Sequence, residues 1–164
     1  MKHLILAFAL ILPLSVGAFK PEDLEKLKKT NGCPNCDLSR ANLKGAILEG
    51  ANLGWANLRK ANLRYALLGG ANLKGTDLKG ANLREANLKK ANLVDANLKK
   101  ANLKKANLAG AVLWGAVLMR ANLDGAYLKG ANTKFASMKG AILCNTTMPD
   151  GRVIYSGCLP FESK

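Results

Sequence analysis

From Cys36 to Asn145 the chain repeats itself every five residues, and no other feature constrains its fold as tightly. The template Ala-Asn-Leu-x-x is plain in Ala41-Asn42-Leu43, Ala81-Asn82-Leu83 and Ala101-Asn102-Leu103. Central positions run from 38 to 143 in steps of five, which makes 22 units. Twenty carry Leu at the centre, with Thr133 and Met138 as exceptions; twenty carry Ala two residues earlier, with Cys36 and Thr76 as exceptions. A helix cannot use this pattern. At roughly 100° per residue a five-residue step overshoots a full turn by about 140°, so successive leucines would wander round the axis. A continuous strand fails too, because an odd step sends consecutive leucines to opposite faces.

Within one unit, Ala-x-Leu has period two, so both side chains point the same way over one very short strand. The chain must then turn before the next unit to aim its Leu at the same axis. Four turns of about 90° close a square coil, and coils stack by parallel backbone pairing about 4.8 Å apart. The 22 units give 5.5 coils, a rod about 26 Å tall on that spacing. Leucines fill the inside in layers of four, and Ala is expected between them because nothing larger fits. Burying each Leu contributes about 1.5–3 kcal/mol, which offsets chain ordering only when summed over stacked coils. Two departures are expected soft spots: Thr133 puts a hydroxyl in a Leu place, and Thr76 overfills an Ala place.

On these 22 consecutive units the chain resembles the pentapeptide-repeat proteins. The resemblance implies an all-β fold, a right-handed quadrilateral β-helix. The segments Cys33-Pro34-Asn35-Cys36-Asp37-Leu38 and Cys144-Asn145-Thr146-Thr147-Met148-Pro149-Asp150-Gly151 are similar to the lead-in and ending of bacterial members without an assigned role. The expected organisation is a signal peptide over 1–18, an N-terminal cap over 19–35, the β-helix over 36–145 and a C-terminal cap over 146–164.

The signal peptide is read from Met1-Lys2-His3, the apolar stretch Leu4 to Val16, and the small residues Val16 and Ala18. Cleavage is expected after Ala18. Thirteen apolar residues interrupted by Pro13 fall short of the roughly 20 that a spanning helix needs. A periplasmic or secreted location follows. Pro21-Glu22-Asp23-Leu24-Glu25-Lys26-Leu27-Lys28 reads as a short capping helix, with Pro and acids in its first turn. Leu24 and Leu27 share one side and are placed over the first coil. At the other end, Met148, Val153, Ile154, Tyr155 and Phe161 are available as a cover for the open coil.

Chemistry is sparse. The only histidine, His3, lies in the signal peptide, so the mature chain has no Ser-His, Cys-His or His-metal site. Glu49, Glu85, Asp95 and Asp124 are scattered, with no pair at catalytic spacing. No catalytic residue, cofactor or small-molecule ligand is expected. An oxidising compartment favours disulfides. Cys158 can return to the outward Cys144, closing a loop worth about 3 kcal/mol by the loop-entropy argument. Cys33 and Cys36 have the C-x-x-C spacing of thiol oxidoreductases, but Cys36 takes an inward Ala position and no βαβ pattern follows. The pair is read as a local disulfide or capping pair, with a thiol–disulfide redox protein as the alternative. Zinc is disfavoured, since two cysteines lie at each end of the rod. So is covalent haem, with Asp37 where a His is required.

Stacking residues twenty apart sorts the outer surface. Asn42, Asn62, Asn82, Asn102 and Asn122 form an unbroken ladder expected to bond backbone or one another. Arg84, Lys89, Lys90, Lys99, Lys100, Lys104 and Lys105 form a basic belt round three sides at mid-rod. The full chain carries a net charge of +14, and +13 without Lys2. Such a surface attracts anionic partners and also resists edge association. A DNA-mimicking role, known for acidic members of the resembled family, does not suit this charge. Val94, Val112 and Trp114 fall on one side, with Val117 and Met119 round the next corner, a candidate apolar interface and a route to a homodimer. The function read from all this is a non-catalytic, exported interaction module whose partner is a protein or an anionic envelope component. Nucleic acid is disfavoured by export and by the lack of aromatics among the lysines; a cytoplasmic nucleic-acid binder remains the alternative if residues 1–18 are not a signal peptide.

Overall fold

The computed structural model describes residues 19–158. The expected signal peptide and the tail beyond Cys158 lie outside the described residues. Helix α1 spans Pro21–Thr30, and strands β1, Leu143–Thr147, and β2, Val153–Ser156, close the other end. Everything between is built from isolated parallel bridges, each joining a residue to the one twenty positions on, from Gly32↔Asn52 to Tyr127↔Thr147. Twenty residues therefore make one coil of four sides. The paired coils start one unit before and end one unit after the 36–145 span, giving six coils where 5.5 are countable from the repeat. The sides are centred on Cys33, Leu38, Leu43 and Leu48 and are called sides one to four in that order.

The coil is held by two sets of backbone bonds. Along each side, Leu83 N–H donates to the Asn102 carbonyl at 2.7 Å and Asn102 N–H to the Ala81 carbonyl at 2.9 Å. At each corner the Ala N–H donates back to the preceding Leu carbonyl, as Ala86 does to Leu83 at 3.0 Å, while the fifth residue of the unit adopts positive φ. A bonded turn with its third residue left-handed is the type II pattern, which favours glycine there. That accounts for Gly45, Gly50, Gly70, Gly75 and Gly80 in the fifth position. Asn precedes Leu so often because its Oδ1 accepts the N–H two residues on, as for Arg84 and Asn82 at 3.2 Å. This Asx bond ties the side to the start of the turn.

The interior is a stack of leucines, all fully buried from Leu53 to Leu128. Thr76 overturns the expectation of a soft spot. It is fully buried, and its hydroxyl donates to the Leu53 carbonyl at 2.8 Å. Thr146 sits in another Ala place and repeats the solution with Leu123 at 2.7 Å. The extra bulk is thus accommodated with its hydroxyl bonded, so burying it leaves no unpaired polar group. Thr133 shares the last layer with Met138, Leu143 and Met148, all half-buried.

Helix α1 caps the first coil. Leu27 is buried, and Leu24 and Phe19 pack on the core. Polar bonds fix its position: the Asp23 carboxylate accepts from Asp37 N–H at 2.8 Å, and the Asn31 side chain donates to the Glu49 carbonyl at 2.9 Å. The C-terminal cover works differently from the expected apolar lid. Strand β2 pairs antiparallel with β1 and blunts the open edge of the last coil, while Val153 and Tyr155 remain exposed.

Candidate functional site

Both cysteine pairs are disulfides. Cys33–Cys36 lies at the start of the rod and Cys144–Cys158 joins the last coil to the segment after β2. Cys36 is inward as expected, and Cys33 is inward too, in a Leu place; both are buried. Asp23 reaches the same point, but the two sulfurs are bonded to each other and are not thiolate ligands. A buried disulfide inside the first layer counts against a thiol–disulfide exchanger, which needs an accessible thiolate. The Glu25 carboxyl lies below its usual range because the Lys28 ammonium bonds it, and that of Asp150 because the Arg152 backbone and guanidinium do. Both are exposed surface pairs. Neither is the raised carboxyl that general-acid chemistry uses.

The candidate cations lie on the corners after sides two, three and four, and not all of them are free. Arg84 pairs with Glu85 at 2.9 Å and Lys104 with Asp124 at 2.7 Å. Lys90 and Lys105 occupy left-handed corners and lie over Gly110 and Gly125 of the next coil. Lys89, Lys99 and Lys100 stand on the corners after sides four and two. The Asn ladder on side three bridges from Asn42 to Asn122 without a break, and Asn62 donates to Asn42 at 3.2 Å.

The apolar patch is larger than the five residues read from sequence. Trp114 is 42% exposed and meets Phe135 edge to face, with ring centroids 5.5 Å apart. Val94 shares its corner, Val112 lies on side one and Val117 on side two, while Met119 stands on the following corner, between sides two and three; all four are half-buried. Phe135, 79% exposed, and Trp55, on the same corner column, were not singled out by sequence. Both occupy the fifth position of their units, and reading that position in twenty-residue steps would have found them. A further feature lies at the rod's start, where α1 covers only part of the first layer. It leaves an open groove lined by Leu24, Leu27, Leu43, Ala46 and Ile47.

The family model for pentapeptide repeats matches in eight copies over residues 36–75, 66–104 and 96–132. The chain belongs to the pentapeptide-repeat family. Pentapeptide-repeat proteins form right-handed quadrilateral β-helices, which agrees with the four-sided coil seen here. Among solved structures, this pentapeptide-repeat protein is similar to HetL of Nostoc sp. strain PCC 7120, a protein involved in heterocyst differentiation regulation. The identity is 36% over 75% of this chain and 66% of HetL, with a TM-score of 0.62. It is also similar to alr5209 of Nostoc PCC 7120, at 33% identity over 74% of this chain and 88% of that one, TM-score 0.51. No curated protein matches the chain.

Proposed function

We propose that this pentapeptide-repeat protein is a non-catalytic module of the cell envelope, exported by cleavage after Ala18. As a right-handed quadrilateral rod it binds an anionic partner through its basic sides. The observation that carries this reading is the charge of the repeat: 17 Lys and Arg against 5 Asp and Glu over residues 41–145, all placed on outward corners or sides of a rigid frame. A surface of this kind raises the local concentration of anions and steers their approach.

The test is sedimentation of the mature protein with anionic and neutral vesicles, and its retention by acidic polymers, over a salt series. Binding confined to anionic ligands and fading as salt screens the charges supports the reading. Absence of binding to every anionic ligand at low salt overturns it. Export is tested separately by N-terminal sequencing of the cellular protein. Phe19 as first residue supports it, and an intact Met1 on cytoplasmic protein brings back the nucleic-acid alternative.

A further inference from the structure

Read in twenty-residue steps, the cations run along the rod more than round it. The corner between sides two and three carries Arg40, Lys60, Lys79, Lys99, Lys100 and Arg120, and continues to Lys139. All six coils contribute a cation there. Arg59, in the same column, is engaged by Asp77 at 3.1 Å. The opposite edge of side three carries Lys44, Arg64, Arg84, Lys104 and Lys105, with Glu85 and Asp124 among them. Between the two edges lies the ladder from Asn42 to Asn122. Each Oδ1 of Asn82, Asn102 and Asn122 accepts the N–H two residues on. Their Nδ2 groups donate to no group among the described residues. Side three thus presents outward amide donors at Asn82, Asn102 and Asn122, with the Asn62 amide engaged by Asn42, bounded by two rows of cations.

Resting on the anionic-partner reading above, we infer that side three and its two edges form a track for a linear acidic polysaccharide lying parallel to the rod axis. The cation corner between sides two and three repeats once per coil and extends about 24 Å over five coil steps, and the Asn ladder about 19 Å over four; the track is one side wide, which suits an extended chain. Carboxylate or sulfate groups meet the cations, and sugar hydroxyls accept from the amides. A bilayer is matched less well. Membrane-surface proteins add apolar and aromatic anchors to their cations, and here Trp55, Trp114 and Phe135 lie on the corner between sides one and two, away from the track. The one aromatic on its edges, Tyr65, is stacked against the Arg64 guanidinium at 4.5 Å. A nucleic-acid strand needs stacking platforms, which the track lacks.

The test uses the mature chain with dextran sulfate and polygalacturonate, neutral dextran as control, and phosphatidylglycerol vesicles as the competing ligand. The variant Lys79→Gln/Lys99→Gln/Lys100→Gln removes charge from the track. Lys74→Gln/Lys89→Gln/Lys129→Gln removes the same charge elsewhere. The track variant is expected to weaken both acidic polymers about tenfold or more and to flatten the plot of log affinity against log salt by about two, at roughly 0.7 per lost contact. The off-track variant should stay within about threefold of wild type, since general charge contributes through screened long-range attraction alone. Asn102→Asp keeps the turn-closing oxygen and should weaken polymer binding more than Asn92→Asp on side one. Equal losses in the track and off-track variants overturn the track, as does binding to vesicles without binding to either polymer. Absence of all anionic binding would instead sink the reading on which the track rests.

Discussion

Gly75 allows the corner geometry to be tested in energy. Its φ is +63°, and a Cβ built there would stand 2.6 Å from Cδ2 of Trp55, whose ring lies over this corner from the coil before. Gly70, one corner earlier, has φ +64° and nothing within 4 Å of the same point. Gly70→Ala therefore reads the left-handed cost alone, about 1–2 kcal/mol. Gly75→Ala carries that cost and must also lift the Trp55 ring off its seat. Trp55 is 61% exposed, so the ring can swing into water, and the added loss is the ring–corner contact. We expect a coupling of about 1 kcal/mol between the two positions, within the range for residues in contact. Urea unfolding followed by far-ultraviolet circular dichroism gives all the needed values. In a Trp55→Ala background, Gly75→Ala should fall back to the Gly70→Ala cost. Equal costs for Gly70→Ala and Gly75→Ala in the wild-type background would refute the reasoning.

Other outcomes follow from the same frame. Leu88→Ala empties a fully buried mid-rod position and should cost about 3–5 kcal/mol, whereas Leu143→Ala in the half-buried last layer should cost less than half as much; urea midpoints compare them. Thr76→Val keeps the shape but loses the bond to Leu53, and should cost about 1 kcal/mol or slightly more, read by the same unfolding curves. Cys158→Ser releases a bridge of sequence separation 14, worth about 3 kcal/mol by loop entropy. Because each coil contacts only its neighbours, that loss should show as faster amide exchange in β1 and β2 rather than as global unfolding. Trp114→Ala should weaken self-association, followed by sedimentation equilibrium, more than it lowers the melting temperature; an unchanged oligomer with a large melting loss would reverse that assignment.

The square coil was legible because an odd period of five leaves Ala and Leu no other way to share one interior. The Asn ladder followed from the same count, since residues twenty apart must stack. Thr76 was misread for a reason of scale. Volume alone condemns a Thr in an Ala place, but a carbonyl 23 residues earlier is in bonding range only after the coils stack. Met148 and Cys33 show the same limit at the ends: neither fits the template, so the first and last units were assigned to the caps. The candidate cations were named by position alone, without their surroundings. Glu85 follows Arg84 in the chain and Asp124 stands twenty residues after Lys104, so the same count offered both ion pairs, but it was applied to the cations alone.

The frame also separates stability from recognition. Inward positions are fixed by layers of Leu and Ala, and the second position of most units by the turn bond of Asn or Asp, with Ile47, Leu67, Val112, Val117, Tyr127, Ser137 and Ile142 as exceptions. That leaves the fourth and fifth positions as the free surface alphabet, read down columns rather than along the chain. In the fifth position even this freedom has a rule. A side chain there lies over the corner of the next coil, and Lys60, Lys90, Lys105 and Arg120 each meet a glycine at that point. Glycine is thus used twice, once for positive φ in its own turn and once as the seat for the side chain before it. A cation placed on such a seat has its stem held against the rod and its charged end displayed, at a smaller entropy cost on binding than a free surface lysine. This favours recognition by the corner columns over recognition by scattered charge, and it is why column-matched pairs of variants, rather than net charge, decide the function.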